Sequence, residues 1–314
     1  MVGVLWVVVP CFNEHEILPA SAQVLLRKLK GWIEAGRILP DSRILFVDDG
    51  STDGTWALIE GLHGKDPHCC GVSLAHNAGE QNAYLAGLFT AAEYADVVIT
   101  VDCDLQDDVN AMDEMLDRYE EGNEIVYGVR KKRIHEGRLH RRNAWLFYKL
   151  MRLCGTELVE EHSQFRLMSK RAVGMLSLYG EVNMFLPALV PLLGLKHTVV
   201  EHERWERTAG KSHYSIRKLM KLAAEAVTSF SAAPLALITL FTLLCSALFT
   251  VCCIVLIVVS VKNGRFDVPL AVLTSVWLIG EGIGASVRII GEYVCKNYIE
   301  TKKRPRYHIE KKII

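Results

Sequence analysis

The chain has 314 residues, enough for one substantial globular domain and something smaller beside it. Its 36 basic and 36 acidic residues cancel, so no strong global field argues for nucleic-acid binding. Its 9 cysteines form neither a C-x-x-C pair nor a zinc spacing, and are read as reduced thiols packed as small hydrophobes.

In chain order, the apolar stretch 2–9 lacks a basic lead, is too short for a signal peptide, and runs directly into the polar turn 10–14. The large N-terminal portion is therefore expected to stay in the cytosol. Short β-rich runs at 5–9, 43–47, 70–74, 97–101 and 124–127 alternate with helical patterns at 16–36, 55–63, 80–94 and 110–121. That alternation predicts an α/β fold, a mostly parallel sheet covered by helices on both faces. Ligands in such sheets bind beyond the C-terminal ends of the strands, so functional residues are expected just after each apolar run.

Three such strand ends carry polar residues. After 97–101 comes Asp102-Cys103-Asp104-Leu105-Gln106-Asp107-Asp108. Residues two apart at an extended strand end share a face, so Asp102 and Asp104 can offer two carboxylates to one ion. Hard oxygen ligands suit Mg²⁺ or Mn²⁺, which bridge carboxylates and phosphate oxygens. After 43–47 comes Asp48-Asp49-Gly50-Ser51-Thr52-Asp53-Gly54-Thr55, in which Asp53 or Thr55 caps the next helix. Asp48 and Asp49 would repel unless something binds them. Pro10-Cys11-Phe12-Asn13-Glu14 supplies the third turn, and together the three make a nucleotide pocket.

Further along, 141–154 and 215–230 mix basic and aromatic residues in the manner of interfacial helices, though an ordinary half-buried helix fits the first equally well. Residues 235–261 contain no charge, and 268–287 are broken only by Glu281; each is long enough to cross a hydrocarbon core of roughly 20 residues. Basic residues cluster before the first run (Arg204, Arg207, Lys211, Arg217, Lys218, Lys221) and after the second (Lys296, Lys302, Lys303, Arg304, Arg306). They predict a hairpin with both termini cytosolic, against the weak dissent of Lys262 and Arg265 in its loop. Glu281 within the second run and Arg288 two turns later on a similar face read as a helix–helix or subunit contact.

Taken together, VVVPCFNE, VDDGSTDGT, HNAGEQNAYLAGL, DCDLQDD, QFRLMSKRAV, ERTAGKSHY, TSFSAAPL and IIGEY…RPRY resemble, in order and along essentially the whole chain, the family 2 glycosyltransferases of GT-A (Rossmann-like) fold. Within them the likeness is to the polyprenyl-phosphate group, which includes bactoprenol glucosyltransferases and dolichol-phosphate mannose synthases. The resemblance implies transfer of a monosaccharide, with inversion, from a nucleotide sugar, UDP-linked in the bacterial relatives, to polyprenyl (undecaprenyl) phosphate at the cytosolic face of the cell membrane. Pro10, Phe12, Glu14, Val47, Asp49, Asp102 and Cys103 would line the nucleotide pocket. Asp102, Asp104 and Gln106 would hold Mg²⁺ or Mn²⁺. Asp104, Arg166 and Glu161 would be catalytic, with Glu161 ranked below the metal ligands because the acceptor phosphate is already anionic. Arg130, Arg207 and Ser212 would receive the acceptor phosphate. The domains implied are a cytosolic GT-A domain at 1–214, an interfacial helix at 215–233, a transmembrane hairpin at 234–295 (spans near 235–261 and 268–290) and a cytosolic basic tail at 296–314. Membrane lipid is an expected partner, and the likeness to bactoprenol enzymes hints at a homo-oligomer.

The chain departs from the family at Gln164, often Asp; at His76, often Arg; at Glu80; and at Pro187, often Arg. These put the sugar in doubt, not the reaction class. Two other readings compete. A processive polysaccharide synthase is mimicked loosely by Glu201-His202-Glu203-Arg204-Trp205, but two spans are too few for a polymer channel. A catalytically silent nucleotide-sugar-binding scaffold is kept open by Gln164 and Pro187.

Overall fold

The computed structural model describes residues 2–131, 162–181, 186–203 and 268–314, with isolated helical positions between 241 and 258. The chain divides into two compact units, one of residues 1–148, 157–213 and 303–314, the other of 149–156 and 214–302.

The first unit is built on one sheet. Its strands are β1 (Leu5–Cys11), β2 (Arg43–Asp48), β3 (Cys69–Leu74), β4 (Val97–Thr100), β5 (Ile125–Arg130), β6 (His162–Ser169), β7 (His197–His202) and β8 (Ile309–Ile313). They lie in the order β7-β5-β6-β4-β1-β2-β3-β8. The central β3-β2-β1-β4 block is parallel, as is β5 with β7, while β6 and β8 run antiparallel to their neighbours. The mostly parallel α/β expectation holds.

The central strands are apolar runs because both their faces are covered. On one face Leu5, Val7, Val9, Ile44, Phe46 and Ile99 share a core with α1 (Leu18–Glu34), α2 (Thr55–Lys65) and α4 (Ala111–Glu120). On the other lies α3 (Glu80–Ala92). A Cβ on its Gly87 would stand 2.3 Å from Val8 Cγ1 and 2.9 Å from Val47 Cγ2. Only glycine lets the helix sit this close to β1 and β2. Beyond β6, Ser169 caps α5 (Lys170–Ser177), its hydroxyl oxygen accepting the Ala172 N–H at 3.0 Å. A further short helix, α6 (Leu186–Leu192), precedes β7.

Three strands differ from expectation. β6 enters between β4 and β5, β7 extends the sheet beyond β5, and β8 pairs with β3. The segment expected to be only a basic tail thus closes one edge of the sheet, its mostly exposed IEKKI sequence suiting an edge strand. The fifth strand, expected at 124–127, runs on to Arg130.

The second unit contains α7 (Val268–Lys302), 35 residues or about 52 Å long. Val268, Val272, Val276, Ile279, Ile283, Val287, Ile290, Val294 and Tyr298 are exposed along it. Their repeating 4-4-3 spacing keeps them on one stripe of the helix. Among the described residues no helix is long and apolar enough to cross a membrane. The expected transmembrane hairpin therefore gains no support from the fold. Its first span falls largely outside the described residues, and its second belongs to α7, whose apolar sequence is interrupted by Glu281, Arg288 and Glu292. The interfacial segments at 141–154 and 215–233 also lie outside the described residues.

Candidate active site

The ends of β1 and β2 are laced together by short polar side chains. The Asn13 N–H donates to the Ser51 hydroxyl oxygen at 2.9 Å, and Asn13 Oδ1 accepts the Thr52 N–H at 2.8 Å. The Glu14 N–H donates to Thr55 Oγ1 at 3.1 Å, and the His15 N–H to Asp53 Oδ2 at 3.2 Å. Asp53 Oδ1 also accepts the Thr55 N–H at 3.0 Å just before α2, but the N-cap position itself is held by Gly54, with no side-chain cap. Gly50 is required at the apex: its φ is +66°, and a Cβ there would lie 2.5 Å from the His76 carbonyl carbon. A groove of about 370 Å³ beside these turns is lined by Asn13, Glu14, His15, Glu16, Ile17, Asp53 and Gly54, so Glu14 is its one expected nucleotide residue.

The two acids after β2 are satisfied from within. Asp48 accepts the Ser51 N–H and the Ser73 hydroxyl, each at 3.1 Å. Asp49 accepts the N–H groups of Ala78 at 2.7 Å and Gly79 at 3.0 Å, which anchors the loop before α3. Burial raises the Asp49 pKa, and those two amide bonds oppose the rise. The expected repulsion between Asp48 and Asp49 is eased by the Ser51, Ala78 and Gly79 amides and the Ser73 hydroxyl.

After β4 the arrangement is different. β4 ends at Thr100, and the acidic motif lies in a turn closed by the Leu105 N–H on the Asp102 carbonyl at 3.1 Å, with Leu105 at φ +45°. The motif is therefore not the extended strand end of the sequence argument. Cys103 still alternates inward, 4% exposed, with its carbonyl held by the Ser21 hydroxyl at 2.6 Å. Its thiol belongs to the core, and so does the side chain of Val47, so at these two expected pocket residues only the backbone is left to meet a ligand. Asp102 is half-buried, and its Oδ1 accepts the Tyr84 hydroxyl of α3. Burial pushes its pKa up to about 6; the Tyr84 bond opposes this, while Glu80, Asp107 and Asp104 add to it. Asp104 Oδ1 accepts the Gln106 N–H at 3.3 Å. Phe12 stands 45% exposed at the end of β1, a free aromatic face.

Two arginines flank this acidic turn. Arg166, in register with Thr100 and Tyr127, is 2% exposed. Its Nη2 donates to Gln164 Oε1, and its buried Nη1 has no hydrogen-bond partner among the described residues. Burial lowers its pKa, with Tyr127 and Tyr84 opposing. Gln164, noted as a departure from the family's Asp, therefore satisfies a donor on Arg166 without neutralising its charge. Arg130, at the end of β5, makes a two-pronged pair with Asp107: Nε to Oδ1 at 3.0 Å and Nη2 to Oδ2 at 3.3 Å. Burial opposes the Arg130 charge, and Asp107 chiefly restores it, with Asp102 and Asp104 also contributing. Asp107 meets a second partner, His202 at the end of β7, whose Nε2 lies 3.0 Å from Oδ1.

Of the expected site residues, Pro10, Phe12, Glu14, Asp49, Asp102, Asp104, Gln106, Arg130 and Arg166 sit at or beside the strand ends. Glu161, Arg207 and Ser212 lie outside the described residues. Tyr84, Asp107 and His202 received no role from the sequence. All three stood inside motifs already singled out, but His202 also ends a strand that the apolar pattern had not indicated.

A divalent cation fits the residues present. Asp102, Asp104 and Gln106 offer oxygen donors, and a bound cation would offset both the burial that chiefly lifts the Asp102 pKa and the neighbouring acids that add to it. Among the described residues no three His, Cys, Asp or Glu side chains form a metal site. Two carboxylates and an amide would leave coordination positions for substrate phosphate.

Residues 6–175 match glycosyl transferase family 2. Over 310 residues the chain is 41% identical to the glycosyltransferase YkoT of Bacillus subtilis, covering 98% of this chain and 91% of that protein. It is 33% identical to a prophage bactoprenol glucosyl transferase homolog of Escherichia coli, covering 97% of each. It is 35% identical to the bactoprenol glucosyl transferase of Shigella phage SfII, covering 97% and 96%. Among solved structures, the mannosyltransferase PcManGT of Pyrobaculum calidifontis with GDP-Man and Mn²⁺ is a distant likeness, at TM-score 0.42 and 13% identity over 94% of this chain and 84% of that one. The chain belongs to glycosyl transferase family 2.

Proposed function

We propose that this glycosyltransferase moves a monosaccharide, with inversion, from a nucleotide sugar to the phosphate of a polyprenyl phosphate at the membrane face. The relatives named bactoprenol glucosyl transferase, matched over nearly the full chain, support the acceptor class. The observation that carries the chemistry is the acidic turn after β4, where Asp102 is crowded by other acids and flanked by Arg130 and Arg166.

Breaking a sugar–phosphate bond leaves a nucleoside diphosphate whose charge must be stabilised in place. Asp102, Asp104 and Gln106 would hold Mg²⁺ or Mn²⁺, and the ion's contribution is Lewis-acid stabilisation of that leaving group. The residues themselves do the rest. Phe12 offers a face on which a base can stack, and the turns joining β1 to β2 shape the pocket entrance. Tyr84 fixes the orientation of Asp102. Arg166 keeps a buried cation with a spare N–H behind the turn, where developing negative charge would be stabilised. Arg130 would orient the acceptor phosphate, which is already anionic and needs positioning more than a general base.

Seating at the membrane is part of the same reading. The run 235–261 carries no charge, and the exposed apolar stripe of α7 would face lipid. Purified full-length protein incubated with labelled nucleotide sugars, Mn²⁺ and polyprenyl phosphate should yield a labelled monosaccharide-lipid. Long polymer would favour a synthase. Nucleotide binding with no product from any donor would favour a silent scaffold.

A further inference from the structure

Among the described residues, the contact between Asp107, Arg130 and His202 is a buried ionic cluster that the motif reading leaves without a purpose. The side chains of Asp107 and His202 are 1% and 0% exposed, whereas that of Arg130 keeps 28% of its surface. Arg130 and His202 are register partners at the ends of the parallel strands β5 and β7, and the Lys131 N–H donates to the His202 carbonyl at 2.9 Å. The Asp108 N–H donates to the Glu203 carbonyl at 3.2 Å, which ties the acidic turn to the end of β7. The His202 ring packs edge-on against Phe165 at 5.2 Å and 89°. Its Nε2 reaches Asp107 Oδ1 at ion-pair distance without hydrogen-bond alignment, and its Nδ1 is buried with no hydrogen-bond partner.

A buried carboxylate needs partners that outweigh its desolvation. Among the described residues Asp107 has two: the Arg130 guanidinium on both of its oxygens, and His202 Nε2 at 3.0 Å from Oδ1. Arg130 spends only its Nε–Nη2 edge on Asp107. Among the described residues nothing takes the donors on Nη1, which are placed for another oxyanion in the planar geometry that suits a phosphate.

We propose that Asp107 and His202 are positioning residues that fix Arg130 beside the acidic turn so that its other guanidinium edge receives the phosphate monoester of the acceptor. Asp107 directly follows Gln106, so the turn expected to hold the donor diphosphate and the cation expected to hold the acceptor share one rigid connection. The inference rests on the transfer reading above, but its core claim is that a phosphate-binding edge on Arg130 depends on His202, which can be tested without turnover.

The test compares full-length His202→Phe, His202→Gln and wild type. Phenylalanine keeps the ring packed on Phe165 and removes the nitrogen facing Asp107; the glutamine amide can replace that nitrogen. His202→Phe should raise the acceptor KM about tenfold, the size of one lost charge-assisted contact, with donor KM and Mn²⁺–nucleotide affinity unchanged. His202→Gln should return most of the loss. Inorganic phosphate, titrated calorimetrically, should weaken by a similar factor in His202→Phe and recover in His202→Gln, whether or not transfer occurs. A folded His202→Phe with unchanged phosphate affinity overturns the proposal, as does a parallel loss of donor and acceptor affinity. Wild type that makes no lipid product, while its phosphate affinity still depends on residue 202, defeats the transfer reading and leaves the positioning role supported.

Discussion

Two acidic pairs lie at the ends of two parallel strands on either side of β1, and they behave in opposite ways. Asp48 and Asp49, after β2, are nearly inaccessible and accept N–H and O–H bonds from Ser51, Ser73, Ala78 and Gly79. Asp102 and Asp104, after β4, remain partly exposed; Asp102 has the Tyr84 hydroxyl and is surrounded by like charge. The first pair is a structural joint between two loops. The second holds electrostatic energy that a cation can release. V-D-D-G and V-D-C-D look equally promising on the page, and what separates them is the supply of backbone donors brought by the loop before α3.

The largest expected consequence lies at the second pair. Asp104→Ala should cut turnover by about a thousandfold or more at saturating metal while leaving folding intact, because leaving-group stabilisation is worth several kcal/mol. Labelled lipid product measured against thermal unfolding checks this. Near-normal activity would erase the distinction between the pairs. At the first pair the loss should fall on stability. Asp49→Ala strands the Ala78 and Gly79 amides and should lower unfolding free energy by about 2 kcal/mol, read from denaturant midpoints. An unchanged midpoint would mean that water satisfies those donors without cost.

The contrast also has a pH signature. A metal must displace whatever proton Asp102 carries, and the Asp102 pKa stands at about 6, raised by burial first and then by Glu80, Asp107 and Asp104. Above pH 6 the carboxylate is free for a cation. Below it, Mn²⁺ affinity should fall by about tenfold per unit, measured by calorimetry without substrate. A flat profile from pH 7 to pH 5 would place the metal elsewhere.

What could be read from the chain follows the range of the forces involved. β1 to β4 and α1 to α4 announced themselves through continuous apolar runs, helical periodicity and turn residues, all local signals. β6 did not, because Arg166 sits inside it and its burial depends on partners from Thr100, Tyr127 and Gln164. β8 did not, because an exposed edge strand rich in lysine has no apolar signature and becomes a strand only through β3. The site divides the same way. The acids at 102 and 104 were visible as a pattern. That Cys103 and Val47 turn into the core, and that Tyr84 and His202 reach the acidic turn, are facts of packing between distant segments.

Tyr84 allows the smallest and most specific test of this contrast. Its hydroxyl donates to Asp102 and favours the ionised carboxylate, so it holds the pKa below where burial and neighbouring acids would otherwise carry it. Tyr84→Phe removes one oxygen from a fully packed ring on α3 and leaves the apolar contacts in place. The Asp102 pKa should then rise further, by up to about one unit, and the pH at which Mn²⁺ affinity begins to fall should move upward with it. Near pH 6.5 the variant should bind Mn²⁺ a few-fold more weakly than wild type, and the two should converge above pH 8, where both carboxylates are ionised. A uniform loss at every pH would instead assign Tyr84 to the geometry of the turn. A downward shift would show that the hydroxyl competes with the cation for the same oxygen.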